Sequence, residues 1–282
     1  MAFGIREARA DDVDQIAPWT TDTFSWGDYV GSSLSDWIGD SRLHVMVVED
    51  GHAVAVAVAR AQMLSPTEGW LDAARVNPSV RRQGLGTMLN DACVEWVREQ
   101  GGRVARLAIE ADNSAAHNQV LKLGYRATST WVTYEHPVDP RARAKRDERL
   151  QTVGRADVDP AWMFWSTSDM AETSRGLMSF GWLWRRATVD DLTKAASEQR
   201  FLESPAGWVV IETPNPDEID VVWLATSANE FPRLIDALLD LGADRSAETI
   251  VFRVPQTGWS GEALTRAGGV VRETHVYEKP LS

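Results

Sequence analysis

The segment Ile5-Arg-Glu-Ala-Arg-Ala-Asp-Asp-Val13 is echoed far down the chain by Trp184-Arg-Arg-Ala-Thr-Val-Asp-Asp-Leu192. A second echo closes each copy: Tyr134-Glu-His-Pro-Val138 and Tyr277-Glu-Lys-Pro-Leu281. Between these landmarks the hydrophobic periodicity predicts a repeated order of elements. In the first copy it predicts a strand from Ile5 to Ala10 and a helix opened by Asp11-Asp12 with Val13, Ile16 and Trp19 on one face. A helix with Leu34 and Trp37 follows, then strands Leu43 to Val48 and Ala53 to Ala61 about the turn Glu49-Asp-Gly51. Next come a strand from Trp70 to Val76 and a helix from Leu85 to Glu99, with Leu85, Leu89, Ala92, Trp96 and Val97 as its buried stripe. Val104 to Ile109 (strand), Ala115 to Leu123 (helix) and Thr128 to Tyr134 (strand) complete the copy.

The second copy reads as strands Trp208 to Glu212 and Ile219 to Ala225, then a helix from Phe231 to Leu241 stopped by Gly242. A strand from Thr249 to Val254, a helix from Gly261 to Ala267 and a last strand follow. A repeat on this scale constrains architecture more than any local motif. It predicts an α/β chain with a mixed sheet in each of two tandem copies, at 1–138 and 181–282. The connector 139–180 carries a basic run (Arg141, Arg143, Lys145, Arg146, Arg149), read as a solvated face. Its Ala161-Trp-Met-Phe-Trp165 is too apolar for a free linker and is expected to pack between the domains.

Composition removes several function classes. The net charge of −12 argues against a nucleic-acid partner, which needs clustered Lys and Arg, and is compatible with a cationic amine. No apolar run is long enough for a membrane span, and the first residues lack a secretory pattern, so a cytoplasmic protein is expected. The single cysteine, Cys93, excludes an internal disulfide and falls in a helical apolar pattern, where it reads as a small buried hydrophobe. Thirteen tryptophans are read as packing residues. Five histidines without zinc-like spacing predict no metal.

The segment that carries chemistry is Arg81-Arg-Gln-Gly-Leu-Gly86. It follows a strand and opens a helix, so successive backbone N–H groups and the positive end of the helix dipole converge on one spot. The glycines remove side chains where an anion approaches the backbone, and Arg81 and Arg82 add charge. That combination is a pyrophosphate cradle. It is not a Walker loop, because no Gly-Lys-Ser/Thr follows, and it lacks the third glycine of the dinucleotide fingerprint.

In this context the chain resembles the GCN5-related N-acetyltransferase (GNAT) superfamily. The resemblance rests on Val76-Asn-Pro78 followed by Arg81-x-x-Gly84-x-Gly86, on Asn113-Ser-Ala-Ala116, and on Lys122-Leu-Gly-Tyr125. It covers about Phe3 to Val138. It implies acetyl-CoA as co-substrate, with the backbone of Ala74, Arg75 and Val76 along the pantetheine arm. Arg81, Arg82, Gln83, Gly84, Leu85, Gly86 and Thr87 would surround the pyrophosphate, and Asn113 would contact the cofactor. The Val76 N–H would stabilise the oxyanion as an amine attacks the thioester directly.

An ammonium of pKa about 10 must lose a proton before attack. The resemblance points to Asp72, on the strand where relatives often carry a glutamate base, and alternation puts it on the face of Ala74 and Val76. Glu110, at the end of the next strand, is the other candidate. Many relatives place a tyrosine acid at the position of Val120, so the usual acid is missing here, with Tyr125 or water as substitutes. The second copy has Ala225-Thr-Ser-Ala-Asn-Glu-Phe231 in place of the cradle, and Glu230 would repel a phosphate, so it reads as a degenerate domain. Phe24-Ser-Trp-Gly-Asp-Tyr29 falls where relatives build the acceptor side. Asp28 could pair with an amine flanked by Trp26 and Tyr29, or serve as a cap beside a core aromatic. The reading is acetyl transfer to a primary amine of a small molecule, by a monomer or homodimer. The alternatives are a protein amine as acceptor, or a non-catalytic acyl-CoA-binding or regulatory protein.

Overall fold

The computed structural model describes every residue except 1, 22, 24–26, 144–147, 268–269 and 282, with the backbone alone at 270–271. The chain forms two compact units, one of Met1–Leu107, Gln119–Arg126 and Glu278–Ser282, the other of Ala108–Asn118 and Ala127–Tyr277. The units do not break at 138 or 180, because terminal segments of each copy are shared out between them.

The first unit is built on strands β1 (Gly4–Glu7), β2 (Leu43–Glu49), β3 (Ala55–Ser65) and β4 (Glu68–Val76), each antiparallel to the next. The start of β5 (Val104–Glu110) lies parallel to β4, which makes the sheet mixed. Helices α1 (Asp12–Ile16) and α2 (Val30–Gly39) cover one face. Ile16, Val30, Leu34 and Trp37 pack there on Val45, Val47, Val58 and Ala73. Helix α3 (Leu85–Glu99) covers the other face and buries Leu85, Leu89, Cys93, Val94 and Val97. It can settle closely on β4 because Gly69 has no side chain: a Cβ there would lie 2.4 Å from Val97 Cγ1. Cys93 is fully buried within this core, and burial pushes its thiol up to about 12.

The second unit takes in α4 (Ser114–Lys122) up to Asn118 and β6 (Arg126–Pro137) from Ala127. It continues with β7 (Gln151–Thr152), α5 (Val158–Ser166), α6 (Asp169–Ser174), β8 (Leu177–Phe180), β9 (Leu183–Arg186) and α7 (Val189–Ser197). Then come β10 (Phe201–Ser204), β11 (Gly207–Asn215), β12 (Glu218–Ala225), α8 (Phe231–Asp244), β13 (Thr249–Pro255), α9 (Ser260–Ala267) and β14 (Val270–Pro280) up to Tyr277. Here β7, β10, β11 and β12 are antiparallel neighbours, β12 and β13 run parallel, and β13 pairs antiparallel with β6, Phe252 opposite Tyr134. The strand expected to close the first copy therefore pairs inside the second unit.

The segment 139–180 is likewise part of that unit. Val158, Ala161 and Trp165 of α5 pack with Phe201, Val210, Val222 and Trp223 in this unit's core, while Met163 and Phe164 of the same apolar stretch are exposed. Gly242 does not stop α8, which runs on to Asp244. A Cβ at Gly242 would meet Val138 and Ile250 at 2.9 and 3.0 Å, so the glycine serves close packing.

The first sequence echo has a structural counterpart in each unit. Asp11 makes no side-chain cap. Asp12, 1% exposed, accepts from Arg6 Nη1 and Nη2 and from the Arg9 N–H. In the same way Asp191 accepts from Arg185 Nη1 and Nη2 and from the Thr188 N–H. A buried ion pair also recurs at one register of the parallel strands. Arg106, beside Trp70, pairs with Glu68 two residues back, and Arg253 pairs at 2.5 Å with Asp220. Burial outweighs the arginine's charge and pushes the Asp220 carboxyl up to about 6.

Two outcomes follow from this packing. Arg106→Met leaves Glu68 buried without its cation and should cost about 3–5 kcal/mol, with most of the loss recovered in Glu68→Met/Arg106→Met. Urea unfolding of both variants checks this, and a single-variant loss below about 1 kcal/mol would contradict it. His44 stacks on Trp96 at 4.8 Å, and burial holds its imidazole below the ordinary 6.5, against the opposing pull of Glu7 and Glu99. Below that value the unfolded chain binds the extra proton more readily, so His44 removes stability as pH falls through about 6.5. His44→Phe, which keeps the stack, should lose less stability than wild type between pH 7.5 and 5.5.

Candidate active site

The site on the first unit begins with a defect in β4. Val58 lies opposite Arg75 and Arg60 opposite Asp72, so Ala59 alone faces both Ala73 and Ala74. This is a β-bulge, and Ala73 takes φ +57 to form it. The smallest L side chain bears this left-handed backbone at a cost of about 1–2 kcal/mol. The bulge corrects the expected alternation. Asp72 shares the α2 face with Arg75, whereas Ala74 and Val76 do not.

On its other edge β4 pairs with β5 only from Glu68 to Trp70 and then runs on to Val76 without further pairing there. The Asn77 N–H donates to the Val56 carbonyl at 2.9 Å, which makes 56 and 77 a hydrogen-bonded pair. Antiparallel alternation then turns the Val76 N–H away from β3, into the opening beside β4.

Beyond β4, Pro78–Val80 forms a single 3₁₀ turn, capped by Asn77 Oδ1 accepting from the Ser79 N–H. Arg82 and Gly84 both take left-handed backbones, φ +64 and +82. Helix α3 starts at Leu85, and the Gly84 carbonyl already accepts from the N–H groups of Thr87 and Met88. Among the described residues, no hydrogen bond involves the N–H groups from Arg82 to Gly86. Arg81, Arg82, Gln83, Gly84 and Thr87 are exposed, whereas Leu85 is buried and anchors the helix. At Gly86 a Cβ would lie 2.5 Å from Gln119 Nε2 of α4, so this glycine admits a neighbouring helix. Uncommitted backbone donors at a helix start, two exposed arginines and an open Gly84 fit a pyrophosphate.

The acceptor-side residues are placed differently from the expectation. Trp26 lies outside the described residues. The Asp28 side chain is fully buried and accepts from Arg75 Nε at 2.7 Å, from Arg75 Nη2 at 3.2 Å and from the Val30 N–H at 3.0 Å. Burial raises its pKa, but hydrogen bonds from Arg75, Thr23 and Val30 overcome this and hold the carboxyl below its ordinary range. Tyr29 is 42% exposed, lies under Arg75 at 5.6 Å and meets Trp37 edge-on at 5.8 Å. Trp37 in turn carries Arg60 at 4.3 Å. Asp72 accepts from Arg60 Nε at 2.7 Å and Nη2 at 2.5 Å, and from Trp70 Nε1 at 3.2 Å, so both its oxygens are engaged. Motif reading missed Arg60, because nothing in its neighbours along the chain marks it as the partner of Asp72.

Glu110 and Asn113 fall in the second unit's 108–118 segment. Asn113 Oδ1 accepts from the Ala116 N–H at 3.2 Å and so caps α4. The Glu110 carbonyl accepts from the Asn113 N–H and lies 3.1 Å from His117 Nε2. Its carboxylate is half-buried and has no hydrogen-bond or ion-pair partner among the described residues. Val120 is buried. The Tyr125 hydroxyl donates to Asn90 Oδ1 at 2.9 Å, and burial pushes its pKa up. No group of three or more His, Cys, Asp and Glu among the described residues could hold a metal ion, and no described helix is long and apolar enough to cross a membrane.

The start of α8 lacks the cradle. No residue from Thr226 to Phe231 has positive φ, and five residues connect the end of β12 at Ala225 to Phe231, against eight from the end of β4 at Val76 to Leu85. Glu230 sits at the helix start, paired with Arg233.

Residues 13–125 match the model of the acetyltransferase (GNAT) family, and that part of the chain is a domain of this family. The family is one of acetyl-CoA-dependent acetyltransferases. A GCN5-related N-acetyltransferase from Sphaerobacter thermophilus is similar over 99% of this chain and 95% of its own, at 16% identity and a TM-score of 0.66. A GCN5-related N-acetyltransferase from Kribbella flavida is similar over 99% of this chain and 72% of its own, at 15% identity and a TM-score of 0.51. The GCN5-related glucosamine N-acetyltransferase region of a fungal multi-domain GH3 β-N-acetylglucosaminidase covers 99% of this chain and 38% of its own, at 14% identity and a TM-score of 0.62. At these identities the likeness is one of fold. The search of curated proteins gives no match.

Proposed function

We propose that the protein transfers an acetyl group from acetyl-CoA to a primary amine of a small molecule, using the first unit's cradle. The observation that carries this reading is the run of uncommitted N–H groups from Arg82 to Gly86 at the start of α3, directly after the bulged β4. Acetyl-CoA supplies the acetyl group as a thioester. Arg82, Gln83, Gly84, Leu85 and Gly86 donate backbone N–H groups to its pyrophosphate, and Arg81 and Arg82 add charge from solvent. Thr87 borders the cradle. The backbone of Ala74, Arg75 and Val76 runs beside the pantetheine arm, and Asn113 contacts the cofactor. The Val76 N–H donates to the oxygen that gains charge during attack.

Glu110 takes the proton from the incoming ammonium, because its carboxylate is uncommitted while both oxygens of Asp72 are held by Arg60 and Trp70. Asp72 positions the acceptor wall. The thiolate departs without a protein acid at Val120, which a thiol pKa of about 8.5 allows. The second unit is a degenerate copy without a cofactor site.

A second reading, a non-catalytic acyl-CoA-binding protein, is favoured by one observation: the position of the family's tyrosine holds the buried Val120, and Tyr125 is tied to Asn90. Calorimetry with acetyl-CoA on wild type and Gly84→Glu, followed by thiol release across an amine panel, separates the two. The proposal expects binding that is lost in the variant, and amine-dependent release. Binding without release supports the second reading, and absence of binding contradicts both. Glu110→Gln should lower turnover by about 10²–10⁴-fold with acetyl-CoA affinity unchanged. A larger loss in Asp72→Asn would reassign the base.

A further inference from the structure

Two acids and two aromatic rings stand on the α2 face of the first unit, and each is already engaged by an arginine of the same unit. Arg75 binds both oxygens of Asp28 and lies over Tyr29. Arg60 binds both oxygens of Asp72 and lies over Trp37. Tyr29 and Trp37 meet edge-on between the two pairs. Asp72 and Arg75 bracket the β4 bulge and precede Val76 by four residues and one, so this wall lies on the strand that carries the proposed oxyanion donor. Carboxylates and aromatic faces are the groups that bind an alkylammonium. Here both pairs are spent on guanidinium groups. The four side chains of the ion pairs are only 0–19% exposed, which makes displacing either arginine costly.

We infer that the acceptor is a monoamine on an uncharged body, and that the wall selects against diamines and polyamines by holding its own arginines where a second ammonium would bind. This rests on the acetyltransferase reading above and narrows its substrate class. The partly exposed ring of Tyr29 offers the acceptor body an apolar contact. Arg60 Nη1 makes no hydrogen bond among the described residues and can donate to a hydroxyl or carbonyl on that body. Because Asp72 and Asp28 neutralise the two arginines, the wall has little net attraction for a carboxylate-bearing amine either.

The test is thiol release from acetyl-CoA with phenethylamine, glucosamine, glycine and spermidine, run on wild type, Arg60→Met and Arg75→Gln, with acetyl-CoA binding measured on each by calorimetry. The inference expects wild type to prefer phenethylamine or glucosamine over spermidine and glycine by about tenfold or more in kcat/KM. It expects at least one variant that still binds acetyl-CoA to shift this ratio toward spermidine by a similar factor, as an acid and a ring are freed. Equal or better turnover of spermidine or glycine by wild type overturns the inference. So does a protein that binds acetyl-CoA yet releases thiol with none of the four amines, an outcome that leaves the cofactor site standing. A wild type that binds no acetyl-CoA overturns the parent reading, and this inference with it.

Discussion

The first unit's chemistry depends on the bulge at Ala73. One extra residue in β4 changes which side chains share a face, and the strand's pairing with β5 has already ended at Trp70. Beyond that point the backbone on this edge has no partner strand, and an unpaired edge invites a ligand to complete it. The bulge is held from the α2 face by two ion pairs, Arg60–Asp72 and Arg75–Asp28, joined through Trp37 and Tyr29. Both pairs are shielded enough from water that losing one partner would strand a charge. The strain at Ala73 is thus offset by contacts on either side of it.

The two units use similar local devices to different ends. The Arg–Asp clamp at the entrance of α1 and of α7, and the buried acid–arginine pair on the parallel strands, occur in both. Only the first carries a long, glycine-bearing connection from strand to helix. In the second that connection is short, has no left-handed residue and ends in Glu230. A connection three residues shorter, without glycine, lacks the anion-site geometry while the sheet and its core stay intact, because the buried pairs lie further back along the strands.

Much of this was legible from residue patterns. Helix α3 was expected from Leu85 to Glu99 and has those bounds, because Gly84 and Gly101 frame a clear apolar stripe. Its buried side chains include Cys93 and Val94, whereas Ala92 and Trp96 are only partly covered. The cradle was read from its two glycines and lies where a strand meets a helix. The bulge was not legible, since an alanine bears the left-handed backbone and alternation gives no warning of it. The partners of Asp72 and Asp28 lie 12 and 47 residues away, so both acids looked available when each is bound by an arginine. Gly242 looked like a helix stop because its packing against Val138 and Ile250 is a tertiary fact. Of the apolar 161–165 stretch only Ala161 and Trp165 are buried, in the second unit's core, while Met163 and Phe164 are exposed, since composition does not report which side chains of a helix face inward.

The central claim is that one cofactor site exists, at the start of α3. Hydrogen exchange with and without acetyl-CoA tests it most directly, because the claim names the amides. The account predicts slowed exchange from Arg82 to Met88 and along Ala74 to Val76, with no change from Thr226 to Leu234. Protection at the start of α8, or none at the start of α3 under saturating acetyl-CoA, would contradict it.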